Sequence, residues 1–308
     1  MINEIELRIL SSLDSPKTRQ DLSDELDYIE STVSRALSNL ERLDLIYKEQ
    51  LGNQTIAKPA DIRCVEALQS LTQSNPHVDF PDLLTTSMLN VLYYLNSKRL
   101  WTAAELTERT GHARATVYRN LRTLTNRAMV TKERSQYALR EEFNQLHLFA
   151  CELRHHAHRA RIKRDVGRRT IVWESHDEFL VRMERDVEDP DYHPTGLDAF
   201  DQYGLQFFTT SAQHYLYSKE RESLAPEDLV CHLLLIENDS RHRKYVLLLI
   251  AKTELSKETL RETASYYGIE DVVIPLVEFL HTEGEVTSEN TPKWKEFEDL
   301  ISEYGVDL

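Results

Sequence analysis

Apolar residues fall at helical spacing at Ile5, Ile9, Leu10 and Leu13, and Asp14-Ser15-Pro16 then breaks the run. A short second helix is predicted from about Thr18 to Leu26. After a brief connection, Ser31 or Thr32 can cap a third helix whose inner face is Val33, Leu37 and Leu40. Leu45-Ile46-Tyr47 begins a strand, and Gly52-Asn53 turns the chain into Thr55-Ile56-Ala57. The order then recurs as Met88 to Leu95, Thr102 to Thr110 with Gly111 at the turn, Ala115 to Arg127, then Met129-Val130 and Tyr137-Ala138-Leu139. Helix, helix, short turn, helix and β-hairpin is the order of a winged helix-turn-helix.

The residues recur as well as the elements. Residues 18–49 align without gaps on residues 102–133. Thr18, Leu22, Thr32, Val33, Arg35, Leu37, Leu40, Lys48 and Glu49 are matched by Thr102, Leu106, Thr116, Val117, Arg119, Leu121, Leu124, Lys132 and Glu133. Two copies of one unit is the economical reading. Thr32-Val33-Ser34-Arg35-Ala36-Leu37 followed by Leu40-Glu41-Arg42-Leu43-Asp44-Leu45 resembles the third helix of MarR- and TrmB-like winged-helix regulators, and so does Thr116-Val117-Tyr118-Arg119-Asn120-Leu121 with Leu124. The resemblance covers roughly residues 1–140 and implies binding to double-stranded DNA and control of transcription.

Residues 141–164 read as one long helix with Leu146, Phe149, Leu153, Ala157 and Ala160 in an apolar stripe. Past Arg168-Arg169 the composition shifts, with strands at Thr170 to Glu174, Glu178 to Met183 and Gln213 to Ser218. Helices follow: one opened by Pro226, a buried one from His242 to Ala251, then Ser256 to Tyr267, Asp271 to His281, and Pro292 to Tyr304. The predicted class is α+β. It comprises a first winged helix-turn-helix over residues 1–78, a second over 81–140, a basic connecting helix over 141–168 and an α+β regulatory domain over 169–308.

Charge at first argues against nucleic acid, because 37 basic against 52 acidic residues leave a net of −15. Split by segment, the balance is −6 over residues 1–80, +9 over 81–169 and −18 over 170–308. The basic stretch coincides with the second motif and its connector, which marks an anion-binding surface. Only 12 of the basic residues are Lys and 25 are Arg. Acidic surplus with scarce Lys suits a halophilic protein of archaeal type, kept soluble in concentrated salt. Cys64, Cys151 and Cys231 are odd in number and far apart, as reduced thiols in a cytoplasmic protein would be. No apolar run is long enough for a membrane and no signal-peptide pattern opens the chain.

In such a motif the third helix enters the major groove. With Val117, Leu121 and Leu124 turned inward, Arg114, Thr116, Tyr118, Arg119 and Arg122 point outward, and Lys132 and Arg134 fall on the wing. Arg suits guanine and bidentate phosphate contact. The equivalent set in the first copy is Ser31, Thr32, Ser34 and Arg35, with Asn39 and Arg42 further along and Glu30, Glu41 and Asp44 around it. The bland alternative is a dimerisation or protein-docking module whose Arg residues are merely solvated.

His147, Cys151, His155 and His158 share one helical face, but they spread over ~16 Å and cannot all hold one ion. We therefore expect no metal, and a basic helix that lies on DNA backbone or on the acidic C-terminal domain. In that domain Asp189-Pro190-Asp191 reads as an acidic loop, Ser175-His176-Asp177 is too close in sequence for a triad, and His232 is a core histidine. No catalytic residue and no cofactor is expected. Thr195-Gly196-Leu197-Asp198-Ala199-Phe200 with Tyr203-Gly204-Leu205, then Leu224-Ala225-Pro226-Glu227-Asp228-Leu229, resembles the C-terminal domain of type IV abortive-infection (AbiEi-like) antitoxins. That resemblance implies a nucleotidyltransferase-like, non-catalytic regulatory domain that binds a second copy or a partner protein. The expectation is a DNA-binding transcription regulator reading mainly through its second winged helix. The alternatives are an antitoxin that neutralises a partner and autoregulates its promoter, and an enzyme of nucleotide chemistry.

Overall fold

Asn3 and Glu6 close a capping box over α1 (Glu4–Ser12), which leads through β1 (Lys17–Thr18) to α2 (Arg19–Leu26) and α3 (Glu30–Arg42). A hairpin follows, β2 (Ile46–Leu51) with β3 (Gln54–Pro59). Next come α4 (Arg63–Ser74) and the short α5 (Phe80–Leu83), neither of which the sequence pattern predicts. The second copy runs α6 (Thr86–Tyr94), β4 (Trp101–Thr102), α7 (Ala103–Thr110), α8 (Arg114–Asn126), β5 (Val130–Glu133) and β6 (Gln136–Leu139). Then α9 spans Asn144–Arg164. The computed structural model describes residues 2–52, 54–164, 169–207, 212–287 and 290–306. Asn53 of the predicted first wing turn and residues 165–168 of the predicted connector lie outside them.

The two copies repeat down to their caps. Thr18 with Asp21 forms a capping box over α2, and Thr102 with Glu105 forms the same box over α7. Strand order is β1-β3-β2 in one sheet and β4-β6-β5 in the other. One prediction fails locally: α3 starts at Glu30 with Ile29 as its cap, so neither Ser31 nor Thr32 caps it. Asp27 turns the chain in the left-handed region (φ 54°), which brings the backbone back into helix before Ser31 is reached. Likewise α8 begins at Arg114, one residue before the predicted Ala115.

Leu22, Val33 and Leu40 of the first copy and Leu106, Val117 and Leu124 of the second are fully buried in one continuous core, with Phe80, Leu146 and Phe149 among them. Each such side chain contributes about 1.5–3 kcal/mol by burial. The chain divides into two compact units, Met1–Arg164 and Asp165–Leu308, so both winged helices and α9 belong to one body. Along that body α9 packs on α4 and α6.

The second unit opens with an antiparallel sheet of β7 (Arg169–Glu174), β8 (Phe179–Met183), β9 (Tyr192–Thr195) and β10 (Gln213–Tyr217) in the order β7-β8-β10-β9. Five helices follow in the described residues: α10 (Pro226–Ile236), α11 (Ser240–Thr253), α12 (Lys257–Tyr267), α13 (Glu270–His281) and α14 (Trp294–Tyr304). Their core gathers Phe200, Leu229, Leu233, Val246 to Ile250, Phe279 and Phe297. The turn after α13 needs Gly284 (φ 84°), because a Cβ there would lie 2.7 Å from the Trp294 Cβ. The fold is α+β, as the order of elements predicts.

Candidate nucleic-acid interface

Helix α8 buries Val117, Leu121 and Leu124 and turns Arg114, Tyr118, Arg119 and Arg122 to solvent, with Thr116 half-buried beside them. The first turn is ordered within itself. The Arg114 guanidinium donates to the Tyr118 hydroxyl at 3.3 Å and stands 5.4 Å from the centre of its ring. On the wing, Lys132 and Arg134 are exposed, and the Lys132 ammonium lies 5.2 Å from the Tyr137 ring. Arg134 takes a left-handed turn conformation (φ 56°) between β5 and β6. Among the described residues no carboxylate pairs with Arg114, Arg119, Arg122, Lys132 or Arg134. Among the described residues the surface is thus a group of cations without carboxylate partners on the exposed face of α8 and its hairpin.

Residues that hold this face in place escaped the sequence reading. Asn120, buried in mid-helix, donates its amide to the Ser87 hydroxyl at 3.2 Å and ties α8 to α6. Asn90, buried on α6, donates to His112 Nε2 at 3.1 Å and accepts from Arg154 of α9 at 3.3 Å. A polar residue within the apolar run Met88-Leu89-Asn90-Val91-Leu92 is the signal that points to such a tie.

The first copy presents a different face. Ser31 and Arg35 are exposed on α3, while Thr32 and Ser34 are half-buried. Glu30 stands where the second copy has Arg114, and Ser38 where it has Arg122. Glu30 binds Arg19 at 2.7 Å, Glu41 binds Lys48 at 2.6 Å, and Glu49 pairs with Lys58. Most cations of this copy are therefore already neutralised by its own carboxylates.

Four polar side chains of α9 are engaged within the same unit. His147 donates to the Leu92 carbonyl at 3.0 Å, and His155 bonds the Tyr93 hydroxyl at 3.2 Å. His156 donates to the Leu43 carbonyl at 2.6 Å, and Lys163 meets Asp44 at 3.1 Å. These residues fasten both winged helices to one spine, because the buried stripe of α9 faces them. Burial pushes the Cys151 thiol up to about 12 and pulls His147 below its ordinary value, so neither is poised for charge or nucleophilic chemistry.

In the second unit, His176 is buried and its Nδ1 meets the neighbouring Asp177 at 2.6 Å. The backbone N–H of Asp191 donates to the Asp189 carboxylate at 3.0 Å, as in a loop turn. His232 is wholly buried, bonds Thr195 Oγ1 at 2.8 Å, and is pulled down to about 3 by burial. Arg221 joins Glu178 at 2.6 Å and Asp228 at 2.8 Å, while Tyr266 and Tyr267 donate to the same carboxylates. Burial works against the Arg221 charge, but hydrogen bonds to Glu178 hold its pKa above the ordinary value. This network joins the sheet to α10 and α12 as a structural knot. Glu237, Asp239 and His242 bring possible metal-ligand atoms within 4.8 Å, yet both His242 nitrogens already meet those carboxylates, at 3.0 and 2.8 Å.

Residues 88–134, from α6 through β5 to the wing turn, match the IclR helix-turn-helix domain. That match supports a DNA-binding transcription regulator. Residues 189–306 match a family designated HVO_2833_C and described only as C-terminal. No curated protein matches the chain. Among the described residues no helix is long and apolar enough to cross a membrane.

Proposed function

We propose that the chain regulates transcription by laying α8 in the major groove of double-stranded DNA and the β5–β6 wing on the flanking backbone. The observation that carries this reading is the cluster of Arg114, Arg119, Arg122, Lys132 and Arg134, exposed and, among the described residues, without carboxylate partners on a helix-turn-helix. Arg114 and Arg119 at the start of the helix reach base edges, Arg122 and the wing cations reach phosphate, and Thr116 and Tyr118 complete the contact. Ser31, Thr32, Ser34 and Arg35 of α3 add little, because Arg19, Lys48 and Lys58 around them are spent on neighbouring carboxylates. The unit from residue 169 onwards acts as the regulatory domain. The −18 balance of residues 170–308 and the Arg-over-Lys bias support work in concentrated salt inside the cell, where direct base contacts must make up for weak counterion release. Genome-wide occupancy at the native salt concentration tests the reading. Discrete sites for the wild type that vanish in an Arg114→Ala, Arg119→Ala, Arg122→Ala triple variant support it. Sites retained by that variant contradict it.

A further inference from the structure

The two winged helices share a fold, so the places where they differ show what each surface is for. At the N-cap of the third helix the second copy has Ala113 and the first has Ile29, which is 71% exposed. On the first wing strand the second copy has Thr131 and the first has Tyr47, 50% exposed. The second wing turns at Arg134 after a strand of 4 residues, whereas the first extends over 6 and ends on Leu51, 65% exposed. Large apolar side chains thus stand where the second copy has Ala113, Thr131 and Ser135, on the face proposed to touch DNA in that copy. Isolated exposed apolar residues are ordinary; a set placed at corresponding positions of a reading surface is not.

Tyr47, Glu49 and Leu51 alternate along one face of β2, and the register sets Lys58 beside Tyr47 and Ile56 beside Glu49. The ion pair of Glu49 with Lys58 lies between the two apolar side chains on this face. Strand β2 is also the edge of its sheet, with one side of its backbone open to a further strand.

We infer that the outer face of the first wing, with Tyr47 and Leu51 at its centre, seats a second copy of this chain across a two-fold axis. A face that carries both signs beside apolar residues complements itself, whereas a partner of strong single charge would meet an already neutral surface. Resting on the proposed reading, a single α8 per chain reads one half-site, and a two-fold contact through the first wing supplies the second reading helix.

Light scattering of the full chain over a concentration series tests this. The expected wild-type mass is twice the 36.0 kDa of one chain, falling by half in Leu51→Glu and in the milder Leu51→Ser. Leu51 is exposed, and an unchanged circular dichroism spectrum verifies the fold of each variant. A wild-type monomer at every concentration, or a dimer kept by both variants, overturns the inference. Arg119→Ala separates the two proposals: it loses DNA but keeps the dimer mass. A dimer that dissociates in Leu51→Glu, from a wild type that binds no DNA, would sink the DNA reading and leave this contact standing.

Discussion

Arg19 and Glu30 form an ion pair at 2.7 Å at the start of α3, whereas Arg114, at the equivalent place in α8, has no carboxylate partner among the described residues. Both side chains of the pair are more than half exposed, so it stabilises by under about 1 kcal/mol. Its consequence is electrostatic: the Glu30 charge is offset by Arg19, while the Arg114 charge has no such offset among the described residues. Replacing Glu30 with Arg is expected to leave the melting temperature nearly unchanged and to tighten non-specific DNA binding, with a steeper salt dependence. Fluorescence anisotropy on a random duplex at several salt concentrations checks this; an unchanged slope would show that α3 never approaches the duplex.

The Asn120 amide on Ser87 fixes how α8 projects from α6. Asn120→Ala removes a buried hydrogen bond and is expected to destabilise the N-terminal unit by about 1–2 kcal/mol. Urea titration gives the number. DNA affinity measured well below the unfolding midpoint should fall as well, and an affinity equal to wild type would mean the bond only packs the helix.

The knot of Arg221 with Glu178 and Asp228 predicts asymmetry between its members. Arg221→Met leaves two buried carboxylates facing each other and is expected to cost roughly 3–5 kcal/mol. Removing one of the two facing charges with Glu178→Gln in the same chain should recover part of that loss. A double variant no more stable than the single one rules out charge as the cause.

Burial sets the sign of one pH effect. His232 is neutral in the fold down to about pH 3, while the unfolded chain takes up a proton near its ordinary 6.5. The unfolded state therefore gains protons first, and stability is complete above pH 6.5 and lost as pH falls toward 3. Between about pH 7 and about pH 5.5 the wild type should lose about 1 kcal/mol that a His232→Leu variant does not lose. Parallel denaturation curves at the two pH values decide it; equal losses in both proteins would place the titration elsewhere.

Much of this molecule could be read from residue spacing. Val117, Leu121 and Leu124 alternate with Arg119 and Arg122 at a helical period, so burial of one set and exposure of the other follow directly. The repeat offset brought Thr102 with Glu105 into line with Thr18 with Asp21, and both pairs close the same box. What escaped depends on partners distant in the chain. Asn90 finds His112, and His156 finds the Leu43 carbonyl, through tertiary packing that no local pattern encodes. Strand β9 escaped because Pro194 interrupts its pattern, and the sheet tolerates that proline only because β9 is an edge. The net charge misled for a related reason: it sums over two units, whereas the basic surplus is confined to residues 81–169.

Arg119 and Arg35 occupy the same position in the two copies, and comparing their alanine variants tests the central claim most directly. Titrated against one occupied duplex at native salt, Arg119→Ala is expected to lose roughly 10- to 100-fold in affinity, while Arg35→Ala stays within about 2-fold of wild type. Equal losses, or the larger loss in Arg35→Ala, would contradict the assignment of α8 as the reading helix.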